Sequence, residues 1–301
     1  MSRRGWLLFL AMGVIWGIPY LFIKVAVEHL TPASLVFLRT TAAALLLMPI
    51  AAWRGELRPL LPYWRPLLVY TAVELAIPWL FLARAEQRLS SSLTGLLLAA
   101  IPLVGALLGW FTKIDRLDWR RTLGLAIGIA GVAALVGLDL GRDDTLAVLQ
   151  MAIVAVGYAV GPWVLARYLG GAPALGVVAA SLAITTVIYI PPAVVELPRA
   201  WPPAEAVVSV LVLAVVCTAV AFLVFFRLID EVGPVRATVI TYVNPAVAIA
   251  LGVIFLGEPF TMGILVGFVL VLLGSALATR RTPATVTPVH DREGLVPLER
   301  H

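Results

Sequence analysis

Apolar runs of about twenty residues alternate with short polar punctuation ten times along the chain. They occupy roughly 5–27, 32–53, 65–84, 92–112, 118–138, 145–168, 173–195, 206–227, 234–256 and 260–279. A helix rising about 1.5 Å per residue needs runs of this length to cross a hydrocarbon layer of about 30 Å. The connections are short and marked by proline or glycine, as at Thr31-Pro32, Gly170-Gly171-Ala172-Pro173 and Gly233-Pro234. The pattern predicts an all-α integral membrane protein with ten transmembrane helices. The first run follows Ser2-Arg3-Arg4 and has no small-residue cleavage site, so it reads as a retained helix rather than a secretory signal. The polar stretch 282–301 reads as a disordered cytoplasmic tail.

Basic residues orient the predicted helices. With the N-terminus in the cytoplasm, fourteen Lys and Arg fall on the cytoplasmic side: Arg3, Arg4, Arg54, Arg58, Arg65, Lys113, Arg116, Arg120, Arg121, Arg167, Arg227, Arg236, Arg280 and Arg281. Five fall outside: Lys24, Arg84, Arg88, Arg142 and Arg199. That excess is the positive-inside pattern, and it predicts two cytoplasmic termini.

The chain also matches itself. At an offset of 143 residues, Pro102 falls on Pro245, Asp115 on Glu258, Gly124 on Gly267, Gly131 on Gly274 and Pro49 on Pro192. At 142, Trp16-Gly17 meets Tyr158-Ala159, and at 141 Thr31-Pro32 meets Ala172-Pro173. A near-constant offset across a whole half marks a duplication. The expected organisation is a first five-helix repeat over 1–139 and a second over 140–281. Five is odd, so the second copy enters from the opposite face. The result is two inverted repeats around a central cavity, as in many secondary transporters.

Composition narrows the chemistry. Hydrophobic residues make up 61% of the 301 and charged residues 13%, and mean hydropathy is +1.02. A soluble domain has too little polar surface to cover such a composition, whereas lipid does not demand it. The net charge of +5 sits at the ends of apolar runs, with no basic stripe, so nucleic acid is not expected as a partner. Cys217 is the sole cysteine, which excludes an intramolecular disulfide and a cysteine metal cluster. There is no GxxxxGK[ST], HExxH or CxxC, and no paired acidic cluster for a Mg²⁺-dependent lipid enzyme. No cofactor, metal or catalytic residue is expected.

Several residues together resemble a known family. Trp16-Gly17 with Pro19, Phe37-Leu38-Arg39, Asn244-Pro245 and Leu256-Gly257-Glu258-Pro259 resemble the drug/metabolite transporter superfamily, in its ten-helix EamA-type branch, over about residues 5–280. The first copy departs from the Gly-Glu-Pro turn, with Lys113-Ile114-Asp115-Arg116 in its place. Within the branch the chain is most similar to bacterial YddG-type amino-acid exporters. The resemblance implies a basket-shaped fold, a bacterial inner-membrane location and export of amino acids or similar metabolites.

Ionisable residues at membrane depth cost several kcal/mol, so each needs a reason. Glu74 lies halfway along the third run, and its repeat partner is Cys217, so the duplicated scaffold does not require a carboxylate there. It is a candidate for a substrate amine or a coupling proton; a protonated side chain hydrogen-bonded between helices is the alternative. Arg39 could neutralise Glu74, face a substrate carboxylate through paired hydrogen bonds or snorkel to the interface. Lys24 reads as a snorkelling or gate residue. Trp16, Tyr20, Trp79, Tyr158, Trp163 and Tyr242 lie inside runs and could stack on a substrate or hold an ammonium group; interfacial or packing roles remain open. Asn244 could offer its amide to substrate or pack between helices. Pro19, Pro78, Pro102, Pro162 and Pro245 nominate kinked, cavity-forming helices.

Gly124, Gly128, Gly131, Gly263 and Gly267 have the spacing of close helix crossings. They are expected to pack within a monomer, with a dimer face as the alternative. The expected function is alternating-access export of a small molecule across the bilayer, with aromatic or other neutral amino acids as substrate. Hydrophobic cations or lipids are the alternative substrates, and a membrane enzyme or receptor the alternative class.

Overall fold

The computed structural model describes residues 1–112, 118–139 and 144–279. Lys113 to Arg116, Arg142, Asp143, Arg280 and the tail therefore lie outside the described residues. Among the described residues nine apolar helices are long enough to cross a membrane and a tenth, α10, is shorter: α1 (Arg3–Val27), α2 (Pro32–Trp53), α3 (Arg58–Glu86), α4 (Ser91–Phe111), α5 (Trp119–Leu138), α6 (Thr145–Tyr168), α7 (Ala174–Glu196), α8 (Ala204–Val232), α9 (Val239–Leu256) and α10 (Met262–Ala278). Local chemistry sets several starts. The hydroxyls of Ser2, Thr31, Ser90 and Thr261 accept from the amides of Gly5, Ser34, Leu93 and Ile264, satisfying first-turn donors of α1, α2, α4 and α10. Leu7, Leu45, Leu149, Val187 and Ile254 are exposed on helix flanks, the apolar outside of a lipid-embedded bundle. Trp6, Trp53, Trp64, Trp110, Trp119 and Trp201 are exposed near helix ends, where an interfacial belt belongs.

The principal helix partners are α2 with α7, α4 with α9, α5 with α10, α3 with α6 and α1 with α8. An offset of five helices leaves this set unchanged. Three pairs map onto themselves, and α3–α6 maps onto α8–α1. A two-fold relation between halves requires this.

The α5–α10 crossing is built on the repeated glycines. A Cβ on Gly124 would lie 2.5 Å from the backbone nitrogen of Ala278, and one on Gly131 would lie 2.8 Å from that of Val271. A Cβ on Gly274 would collide with the backbone of Gly128. Small residues here let two backbones touch.

Helix irregularities also recur across the halves. α3 carries a π-helical stretch, Thr71–Ala76, and α8 another, Val212–Val220, which overlaps it at the 143-residue offset. α4 breaks between Leu98 and Ile101, before Pro102. α9 changes from 3₁₀ to α-helix at Val243, before Pro245. α1 breaks between Ile15 and Pro19, but its counterpart α6 is continuous through Pro162. A proline lacks the N–H that an unbroken helix requires, and π and 3₁₀ turns re-route the ladder around it.

Candidate functional site

The polar residues at membrane depth gather where α1, α2, α3, α6 and α8 meet. Arg39 is 7% exposed, and its guanidinium carbon stands 3.8 Å from the ring centroid of the buried Trp79. Its Nε donates to Thr218 Oγ1 at 3.1 Å, and that hydroxyl donates in turn to Leu213 O, an i−5 contact made possible by the π-helical stretch of α8. Among the described residues no hydrogen bond reaches the two terminal nitrogens of Arg39, and neither is sealed from solvent without a partner. Cys217, Tyr158, Tyr20 and Glu86 surround the group electrostatically. A guanidinium gripped by its Nε and by one flat face leaves its outer edge available for a planar anion.

Glu74 occupies the π-helical stretch of α3 and lies against α6, where a Cβ on Gly161 would collide with its Oε2. That oxygen is sealed and has no hydrogen-bond partner. Tyr158 of α6 has both Glu74 and Arg39 as electrostatic neighbours, and no ion pair joins those two among the described residues. Arg39 therefore neither neutralises Glu74 nor snorkels to the surface. Tyr20 packs against Gly95 of α4 and lies near Tyr158, Glu86 and Arg39.

Other expected site residues lie elsewhere. Trp16, at the break of α1, packs on Phe225 and Phe222 of α8 with ring centroids 4.7 and 6.1 Å apart. Trp163 is 48% exposed and continues the outward stripe Leu146, Leu149, Ile153 and Val156, with its ring against Tyr168. Tyr242 lies towards the end of the bundle that holds the N-terminus, its hydroxyl 3.1 Å from Thr279 Oγ1. Asn244 is a fastener. In the orientation its neighbours require, its amide nitrogen donates to Ile240 O and to Gly13 O of α1, both at 3.0 Å.

Lys24 is engaged with main-chain oxygens of Glu86 and Leu89 at 2.8 and 3.0 Å. Glu258 accepts from the Ser91 and Ser92 amides and caps α4. Sequence reasoning missed Glu86, which is completely buried, because Arg84 and Arg88 around it resemble loop punctuation. It also missed Thr218, for which an isolated threonine in an apolar run gives no signal. A surface groove lies between α2 and α7, lined by Leu45, Met48, Leu57 and Val187 among others; none of the expected site residues reaches it.

Among solved structures, one crystal structure superposes with a TM-score of 0.66 at 21% identity, covering 93% of this chain and 98% of the other. Among curated proteins, the "Uncharacterized inner membrane transporter YedA" of Escherichia coli is 29% identical over 281 residues, covering 89% of this chain and 90% of the relative. A "Probable terminal-alkyne amino-acid exporter" of Streptantibioticus cattleyicolor is 28% identical, covering 94% and 95%. A "Probable amino-acid metabolite efflux pump" of Salmonella typhimurium is 26% identical, covering 91% and 94%. The model of the EamA-like transporter family matches twice, over residues 3–137 and 145–280. This ten-helix membrane protein belongs to the EamA-like transporter family.

Proposed function

We propose that the chain is a secondary transporter that exports amino acids by alternating access, with both termini in the cytoplasm. The observation that carries this reading is Arg39, a buried guanidinium fixed by Trp79 and Thr218 whose terminal nitrogens have no hydrogen-bond partner among the described residues. The edge they form suits a carboxylate through two parallel hydrogen bonds. Glu74, the other electrostatic neighbour of Tyr158, offers a carboxyl group for a substrate ammonium group or a coupling proton. Tyr20, Tyr158 and Trp79 give the site aromatic walls suited to neutral and aromatic side chains. The names of two relatives agree with this substrate class.

The test is uptake of a labelled amino-acid panel into proteoliposomes, against empty liposomes, with and without a pH gradient. Saturable uptake of neutral amino acids, lost in Arg39→Ala, is the expected result. No uptake of any member by a folded preparation would remove amino acids as the substrate class.

A further inference from the structure

Two clamps of opposite charge hold the α3–α4 turn, at the end of the bundle away from the N-terminus. The carbonyls of Glu86 and Leu89, at the end of α3, accept from Lys24 Nζ of α1. The amides of Ser91 and Ser92, at the start of α4, donate to Glu258 from the α9–α10 corner at 2.7 and 2.9 Å, and Ser92 Oγ donates to it as well. Each charge sits at the helix terminus whose dipole favours it.

Between the clamps is a carboxyl group that neither uses. The Glu86 side chain is 0% exposed, and no hydrogen bond reaches either carboxyl oxygen among the described residues. The hydroxyls of Ser91 and Thr94 on α4 are also sealed and unpartnered among the described residues. An ionised carboxylate in such a place needs a partner. The charged and titratable groups facing it are Lys24 and Tyr20 from α1, Arg39 from α2 and Glu258 from the α9–α10 corner. Of these, Lys24 already touches the main chain of the same residue.

We infer that Glu86 is a proton-binding site, distinct from Glu74, that sets the state of this clamp. With its proton in place, Lys24 stays on the two main-chain oxygens and the turn is held shut. When the carboxyl O–H gives its proton to water, the carboxylate takes Lys24 as its ion-pair partner, Nζ leaves the Glu86 and Leu89 carbonyls, and the α3–α4 turn is released. Only that O–H bond changes. The use of the switch rests on the transport reading above. A proton taken up at this end would accompany its closing, which couples proton entry to substrate exit.

The test uses the full chain in liposomes with Cys217→Ala and nitroxide labels at Gln87→Cys and Trp201→Cys, both exposed at this end. Pulsed electron paramagnetic resonance should show a longer-distance population that grows from acid to alkaline buffer. Glu86→Gln should hold the short distance throughout. Lys24→Gln, which removes the clamp and leaves the carboxyl, should give the long distance at every pH. The infrared difference spectrum should show a protonated-carboxyl band that disappears in alkali, absent from Glu86→Gln and shifted in Glu86→Asp should the glutamine variant fail to fold. A distance response that survives Glu86→Gln, or a parent protein without either pH response, would overturn the inference. Neither measurement involves a substrate, so failure of the amino-acid reading would be seen separately.

Discussion

At the scale of single residues, the site depends on how one guanidinium is held. Trp79 covers a face of Arg39 and Thr218 takes its Nε, so orientation is settled before any ligand arrives. Arg39→Lys keeps the charge but removes the planar fork. Uptake of the best amino acid in proteoliposomes should fall roughly tenfold or more, the worth of one charge-assisted hydrogen bond of about 1.5 kcal/mol, with the protein still folded in detergent. Unaltered uptake would mean that Arg39 does not meet the carboxylate. The sequence identified Arg39, Glu74, Trp79, Tyr20 and Tyr158 as unusual at membrane depth, and the structure brings these five together. It also nominated Trp163, which has the same residue chemistry, but that side chain sits on the outward stripe of α6. A helix apolar on every face does not reveal which face looks inward, so the misplacement has a physical cause.

At the scale of elements, helix ends and crossings carry the stability. Glu258 satisfies two otherwise orphaned amides of α4. Glu258→Ala should cost about 1–2 kcal/mol, read as a lower midpoint of thermal unfolding in detergent, with Glu258→Gln intermediate. At the α5–α10 crossing, Gly274→Ala places a methyl group against the Gly128 backbone and should destabilise by about 1–3 kcal/mol. Gly105→Ala and Gly137→Ala meet open space and serve as neutral controls. Equal midpoints for all three would refute close packing at this crossing. The ten helices were legible because their apolar runs end abruptly in polar residues. The end of α3 was not. Its sequence Arg84-Ala85-Glu86-Gln87-Arg88 reads as an exit from the membrane, yet Glu86 is completely buried. The π-helical stretches were equally silent: Val212–Val220 contains no proline to announce it, and the Ala76 carbonyl at the end of the other stretch accepts from the distant Tyr189 hydroxyl of α7.

At the scale of the whole molecule, the helices are pinned at both ends. On the N-terminal side, Ser2 Oγ donates to Glu231 Oε1, fixing the start of α1 to the end of α8. At the other end, His29 of the α1–α2 turn meets Glu205 at the start of α8 across 2.7 Å. Alternating access requires the ends to part in turn. In a Cys217→Ala background, oxidising Ser2→Cys with Glu231→Cys should halt uptake, and reduction should restore it. Uptake indifferent to the cross-link would show that α1 and α8 stay together there throughout the cycle.

The discontinuity in α1 has an intact counterpart in α6, although the remaining pairings are preserved under the two-fold relation. Two copies of one design thus hold different shapes, as a mould and its cast do. The asymmetry falls beside the site: at the break of α1, Trp16 packs on Phe222 and Phe225, whereas the equivalent position on unbroken α6 is Tyr158, which has Arg39 and Glu74 as electrostatic neighbours. The half that bends thus spends its aromatic ring on packing, and the half that stays straight turns its ring to the charged groups.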